Sequence, residues 1–150
     1  MSNISISPLD EEYIEGVYFI CTKCFSIPWS KESIKNELSN NLFSNYLGAF
    51  IEDKLVGFIG MWAIVNEGEI TNIAVLPEYQ NKGVGAKLLK KLIKLSQDKK
   101  LENLYLEVRF SNLSAQSLYR KFGFKTYGLR KCYYSDNKEN AILMSKCLLG

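Results

Sequence analysis

The stretch Ile70 to Leu89, ITNIAVLPEYQNKGVGAKLL, passes from an apolar strand through a proline turn and a glycine-bearing loop into an amphipathic helix without a break. Ile70, Ile73 and Val75 are β-branched residues suited to a strand, and Pro77 ends it. Val84, Leu88, Leu89, Leu92 and Ile93 then recur at helical spacing. The helix therefore opens at Gly83 and Gly85, with unpaired N–H groups and the positive end of the helix dipole facing the loop. Glycine leaves the backbone bare there, so a bulky anion such as a phosphate or pyrophosphate can approach closely.

Length and composition narrow what such a loop can serve. The 150 residues, 47% hydrophobic and 13% aromatic, suit one domain over residues 1–150 with one buried core. A net charge of +3 does not by itself point to nucleic acid or an anionic membrane. Asp10, Glu11 and Glu12 interrupt the N-terminal region early and no apolar run approaches a membrane span, so the expected location is cytoplasmic. The chain has no histidine, which removes Ser-His-Asp and Cys-His catalysis and every histidine-bearing zinc site. Acid–base chemistry falls to Glu, Asp, Tyr, Lys or Cys. Cys21 and Cys24 form a CxxC, but Cys132 and Cys147 stand singly. With Tyr13 and Val17, the close pair follows the apolar side of a helix, so both are expected to pack as small hydrophobes, with no metal.

A pass along the chain predicts a helix capped near Ser7-Pro8 and running to about Cys24, and a short second one capped by Ser30 through Leu38. Ala49 to Ile51 and Leu55 to Ile64 read as a hairpin about Glu52-Asp53-Lys54, followed by a central strand Ile70 to Val75. Beyond the long helix come a strand Leu104 to Val108, a helix Asn112 to Phe122 closed by Gly123, and strands Phe124 to Leu129 and Ala141 to Ser145. The order predicts an α/β fold with a mixed sheet and helices on both faces.

Gln80-Asn81-Lys82-Gly83-Val84-Gly85-Ala86 resembles the acetyl-CoA pyrophosphate loop of the GCN5-related N-acetyltransferases, and Leu106-Glu107-Val108-Arg109 through Phe124 resembles the second half of their core. Pro28-Trp29-Ser30, Asn72-Ile73-Ala74-Val75 and Arg130-x-x-Tyr133-Tyr134 extend the likeness to the ribosomal-protein-alanine acetyltransferases, which act on the N-terminal alanine of protein S18. Departures fall at Asn81, where arginine is common, and at Leu76, Cys132 and Asn140. The resemblance implies a mostly antiparallel sheet with one splayed parallel strand pair, acetyl-CoA as co-substrate and no metal.

It also implies roles. Glu107 would be the general base, acting through water, and Tyr119 the acid that protonates the departing CoA thiolate. Glu69 is a reserve base beside the acceptor. The backbone of Ile73, Ala74 and Val75 would bind the pantetheine arm, with Val75 N–H donating to the developing oxyanion. Asn112 would contact CoA, with a plain helix N-cap as the alternative. Tyr133, Tyr134 and Trp29 would line a groove for a peptide N-terminus. Energetics favour that acceptor: an α-ammonium has a pKa of about 7.7–8.0 against about 10.4 for lysine, so deprotonating it costs roughly 3.5 kcal/mol less. The rival readings are an acetyltransferase for a small amine or a lysine, and a non-catalytic acetyl-CoA-binding module. A P-loop nucleotide enzyme lacks the GxxxxGK[ST] spacing.

Overall fold

One side of the central strand is paired along its whole length and the other for only four residues. In the computed structural model, which describes residues 3–149, this strand is β4 (Glu67–Val75). It runs antiparallel to β3 (Lys54–Ile64) from end to end. Its parallel pairing with β5 (Asn103–Arg109) stops at Ile70 opposite Leu106. Beyond that point the two strands part. The remaining strands are β1 (Ile4–Pro8), β2 (Ser44–Ile51), β6 (Lys125–Arg130) and β7 (Ala141–Cys147). The sheet order is β1-β2-β3-β4-β5-β7-β6, antiparallel except at β4–β5. The mixed α/β sheet is as the element order predicts, and the splayed parallel pair is as the resemblance implies.

Helices cover both faces. On one, α1 (Ile14–Cys24) and α2 (Lys31–Lys35) bury Val17, Ile20, Cys21 and Ile34 against Tyr46, Phe58 and Ala74. On the other, α3 (Val84–Asp98) and α4 (Leu113–Lys121) set Val84, Leu88, Leu92 and Tyr119 against Ile59, Met61, Leu104 and Leu106. Each fully buried leucine on α3 contributes roughly 1.5–3 kcal/mol, so the amphipathic stripe read from the sequence fixes the helix that carries the glycine loop. Cys21 and Cys24 are free thiols on the apolar side of α1, as expected for packing residues. Burial pushes the Cys21 thiol up to about 11.

The N-terminus differs from the expected helix at Ser7-Pro8. Ile4 to Pro8 form edge strand β1 on β2, where the missing proline N–H costs no ladder bond at the strand's end. The cap is Asp10, whose side chain accepts from Glu12 N–H at 2.9 Å, and α1 begins at Ile14. Strands β2 and β4 also start earlier than predicted, at Ser44 and Glu67. Ser30 caps α2 as read, its Oγ accepting from Ser33 N–H at 3.1 Å. Among the described residues, no helix is long and apolar enough to cross a membrane.

A bulge gives β4 its particular shape. Asn72 pairs with Gly60 and Ile70 with Met61, so Thr71 is an extra residue. Before it, Ile70 enters the core under α3. After it, Ala74 faces the α1 side while Ile73 and Val75 turn toward α3.

Candidate active site

The parting of β4 from β5 opens a groove of about 870 Å³. Its walls include Ile70 to Val75, Leu106 to Arg109, the loop at Gln80 and Asn81, the start of α3 at Gly83 to Ala86, and Tyr119 on α4. Trp29 from the α1–α2 connection and Tyr134 from the β6–β7 connection complete it. The structure thus brings together most of the residues singled out in the sequence. Lys82 and Glu69 are not among the groove's walls, and Tyr133 meets them through the Glu107 carboxylate. Lys82 Nζ lies 5.9 Å from the centre of the Tyr79 ring, Glu69 is exposed near the start of β4, and Tyr133 is exposed with Arg130 over its ring.

Backbone direction along β4 follows from one bond. Leu76 N–H donates to Val56 O at 2.9 Å, and successive backbone groups in a strand point to opposite sides. Val75 and Ile73 therefore turn theirs toward the split. Val75 O accepts from Gln80 Nε2 at 2.9 Å and from Cys24 Sγ at 3.3 Å, which ties the loop and α1 to the end of β4.

At the head of α3 the two glycines serve different needs. Gly83 caps the helix at φ +87°, a left-handed conformation, and Asn81 sits at φ +61°, where asparagine is one of the few tolerated side chains. Gly85 has no such constraint. A Cβ there would meet Leu118 Cδ2 at 3.4 Å and Ile73 Cδ1 at 4.0 Å, both ordinary contacts. Nothing in the protein itself requires glycine at 85, so the bare backbone fits a ligand that must approach the helix start, as a pyrophosphate does. Asn112 lines the same groove and also caps α4, accepting from Ala115 N–H at 3.1 Å, so the two readings of this residue coexist.

Glu107 alternates with buried Leu106 and Val108, so its carboxylate lies on the opposite face, and its Oε2 is buried without a hydrogen-bond partner. The carboxylate holds the pKa of Tyr133 above the ordinary phenol value. Tyr119 is buried at 4% exposure, and burial raises its pKa. Among the described residues no side chain hydrogen-bonds its hydroxyl. Tyr134 is half-buried and its pKa is pushed up to about 12, chiefly by burial.

Arg109, two residues past Glu107 on β5, pairs with the acidic residues of the β6–β7 connection. Its guanidinium grips Asp136 with both nitrogens at 3.0 and 2.9 Å, reaches Glu139 at 3.3 Å, and lies 4.0 Å from the centre of the Tyr134 ring. Asp136 in turn accepts from Ser26 Oγ at 2.6 Å. The β6–β7 connection is thereby joined to β5 and, across the groove, to the segment that carries Trp29. Ser26 and Arg109 hold the Asp136 carboxyl at about 2, below its ordinary value. A depressed carboxyl contributes stability that is present above the unfolded pKa of about 3.9 and is lost as pH falls through the folded value. The clamp should therefore stay charged to pH 4. Arg109→Leu should move the Asp136 titration upward in an NMR pH series; an unmoved titration would show that the guanidinium does not hold it.

Three comparisons place these features among known proteins. Residues 14–124 match the Acetyltransferase (GNAT) family. A putative ribosomal protein bS18-alanine N-acetyltransferase of Bacillus subtilis is 41% identical over 89% of this chain and 88% of its own length. The crystal structure of the ribosomal-protein-S18-alanine N-acetyltransferase of Escherichia coli superposes with a TM-score of 0.92 at 29% identity, covering 99% of this chain and 96% of that one. The PaiA N-acetyltransferase of Thermoplasma acidophilum, solved with coenzyme A, gives 0.81 at 27% identity over 97% of this chain and 99% of that one.

Proposed function

Because the chain belongs to the acetyltransferase (GNAT) family and is an acetyl-CoA-dependent N-acetyltransferase, we propose that its acceptor is a protein N-terminus, the N-terminal alanine of ribosomal protein S18. Residues 1–150 act in this reading as one N-acetyltransferase domain. The observation that carries it is the 41% identity, over nearly all of both chains, to the Bacillus subtilis relative of that name. The groove agrees: its acidic lining residues are Glu107 and Asp136, and Asp136 is neutralised by Arg109. A polyamine would meet one uncompensated carboxylate.

Acetyl-CoA supplies the activated acetyl group, and Gly83 to Ala86 at the head of α3, the loop at Gln80 to Lys82, and Asn112 would hold it. Ile73, Ala74 and Val75 would present β4 backbone to the pantetheine arm, since β5 has turned away by then. Val75 N–H would stabilise the charge that develops on the thioester oxygen. Glu107 would receive the proton of the α-ammonium through water, leaving a neutral amine to attack. Tyr119 would give its phenol proton to the departing sulfur and regain one from solvent. Trp29, Tyr133 and Tyr134 would flank the peptide, with Glu69 beside the acceptor's approach.

A competition assay with an S18 N-terminal peptide, an internal-lysine peptide and spermine tests the acceptor. The alanine peptide should be acetylated first; faster modification of either rival would overturn this assignment. Tyr133→Phe and Tyr134→Phe should raise the peptide KM, by about two- to tenfold if each hydroxyl loses one hydrogen bond worth about 0.5–1.5 kcal/mol, and leave acetyl-CoA affinity unchanged.

A further inference from the structure

Two buried atoms on the walls of the groove have no hydrogen-bond partner: Asn72 Nδ2, a donor, and Glu107 Oε2, an acceptor. The third such atom among the described residues, Ser44 Oγ, does not line the groove. Native interiors rarely leave such groups unpaired, and a donor and an acceptor lining one groove ask for a ligand that offers both. The two residues stand on β4 and β5 just past the point where those strands separate. They share a face. Glu107 points away from the core that takes Leu106 and Val108. A Cβ on Gly60 would run into the Tyr46 ring and meet Asn72 Oδ1 at 2.9 Å, which puts Asn72 beside Tyr46 on the α1–α2 side.

A chain of hydrogen bonds leads to the Asn72 amide. Glu37 Oε1, a carboxylate oxygen that only accepts, takes the Trp62 indole N–H at 2.7 Å and the Tyr46 hydroxyl at 3.0 Å. The Tyr46 proton is thus committed to Glu37. Thr71 Oγ1 then has two acceptors within reach, Tyr46 at 3.4 Å and Asn72 Oδ1 at 3.2 Å. It donates to the nearer, Asn72 Oδ1, and Nδ2 is left as a free donor. Two irregularities of backbone build this chain. Glu37 lies in a π-helical turn, Asn36–Asn40, and Thr71 is the bulged residue of β4. Such features re-aim side chains next to functional sites.

We propose that Asn72 is a specificity-determining residue: its Nδ2 donates to the carbonyl of the acceptor's first residue while Glu107 engages that residue's amine. This rests on the N-terminal acceptor proposed above. An α-amine carries a carbonyl carbon two bonds from its nitrogen, so a chain terminus offers a donor and an acceptor side by side. A lysine ε-amine, like a polyamine, has only methylenes there. The pair therefore reads the α-amino acid unit itself and needs no contact with the alanine methyl.

The test is a cycle between protein and peptide. Wild type and Asn72→Ala are assayed with an alanine-initiated S18 peptide and with its (E)-alkene isostere, in which a C=C replaces the first amide and removes the carbonyl. Loss of the contact should lower wild-type kcat/KM by about three- to tenfold on the isostere, and Asn72→Ala should lose about as much on the parent peptide. The two losses should not multiply when combined. Rates on a lysine peptide should be the same for both proteins, so the α-amine preference falls by that factor. Asn72→Asp keeps the volume but not the donor, and must show the same loss of coupling if melting shows Asn72→Ala to be unfolded. Multiplicative losses overturn the contact while leaving the N-terminal reading intact. A wild-type enzyme inert toward the parent peptide but active on another amine overturns both.

Discussion

Glu107→Gln is expected to lower kcat by two to four orders of magnitude, the range that a positioned general base contributes. Tyr119→Phe should also lower kcat, with little change in acetyl-CoA affinity, because the lost proton matters only when the thiolate departs. Burial raises the Tyr119 pKa above the ordinary phenol value of about 10, so its proton stays in place throughout a neutral to alkaline assay. No basic limb below pH about 10 should trace to Tyr119, and removing it should scale the profile down without reshaping it. Steady-state kinetics across pH 6–10 for both variants decides the matter. Wild-type turnover in either would reduce that residue to packing, and a limb that vanishes in Tyr119→Phe would reassign its titration.

The base and acid candidates came from the family resemblance, and the elements that carry them were legible because each rests on a short-range pattern. Leu106-Glu107-Val108 shows strand alternation within three residues, and Tyr119 lies on a helix whose apolar stripe and asparagine cap are local signals. The glycine loop was legible for the same reason. Strand β1 carried its own alternation, Ile4-Ser5-Ile6, but Ser7-Pro8 reads equally as a helix start. What decided between them is tertiary: Ile6 and Ile4 find Ala49 and Ile51 on β2. The partners of Arg109 were beyond local reading, since Asp136 and Glu139 are 27 and 30 residues away and their loop meets β5 only after β7 has returned along it. Asn72 was hidden in another way. A bulge is a count of residues against a neighbouring strand, and Thr71 alone looks like an ordinary strand residue. Only once Gly60 is set opposite Asn72 and Met61 opposite Ile70 does the change of facing emerge.

The glycine loop yields a second large effect, in which stability and binding should move in opposite directions. Gly85→Ala places a Cβ where the free protein has room, 3.4 Å from Leu118 Cδ2, and replaces a poor helix former near the start of α3. The variant should melt no lower than wild type, and its acetyl-CoA affinity should fall, by about tenfold or more for the larger Gly85→Val, because the added carbons occupy the approach to the helix amides. Gly83→Val should fail on both counts: no atom lies within 4 Å of its Cβ, but φ +87° is a strained conformation for a β-branched residue, so the cap itself distorts. Lys87→Ala, on an exposed position one turn along, removes a charge without touching the loop and should change affinity least. Calorimetric titration with acetyl-CoA, paired with thermal melting, separates these outcomes. Equal affinities for Gly85→Val and Lys87→Ala would mean that the pyrophosphate does not sit at the head of α3, and loss of stability in Gly85→Ala would mean that this glycine serves the fold and not the ligand.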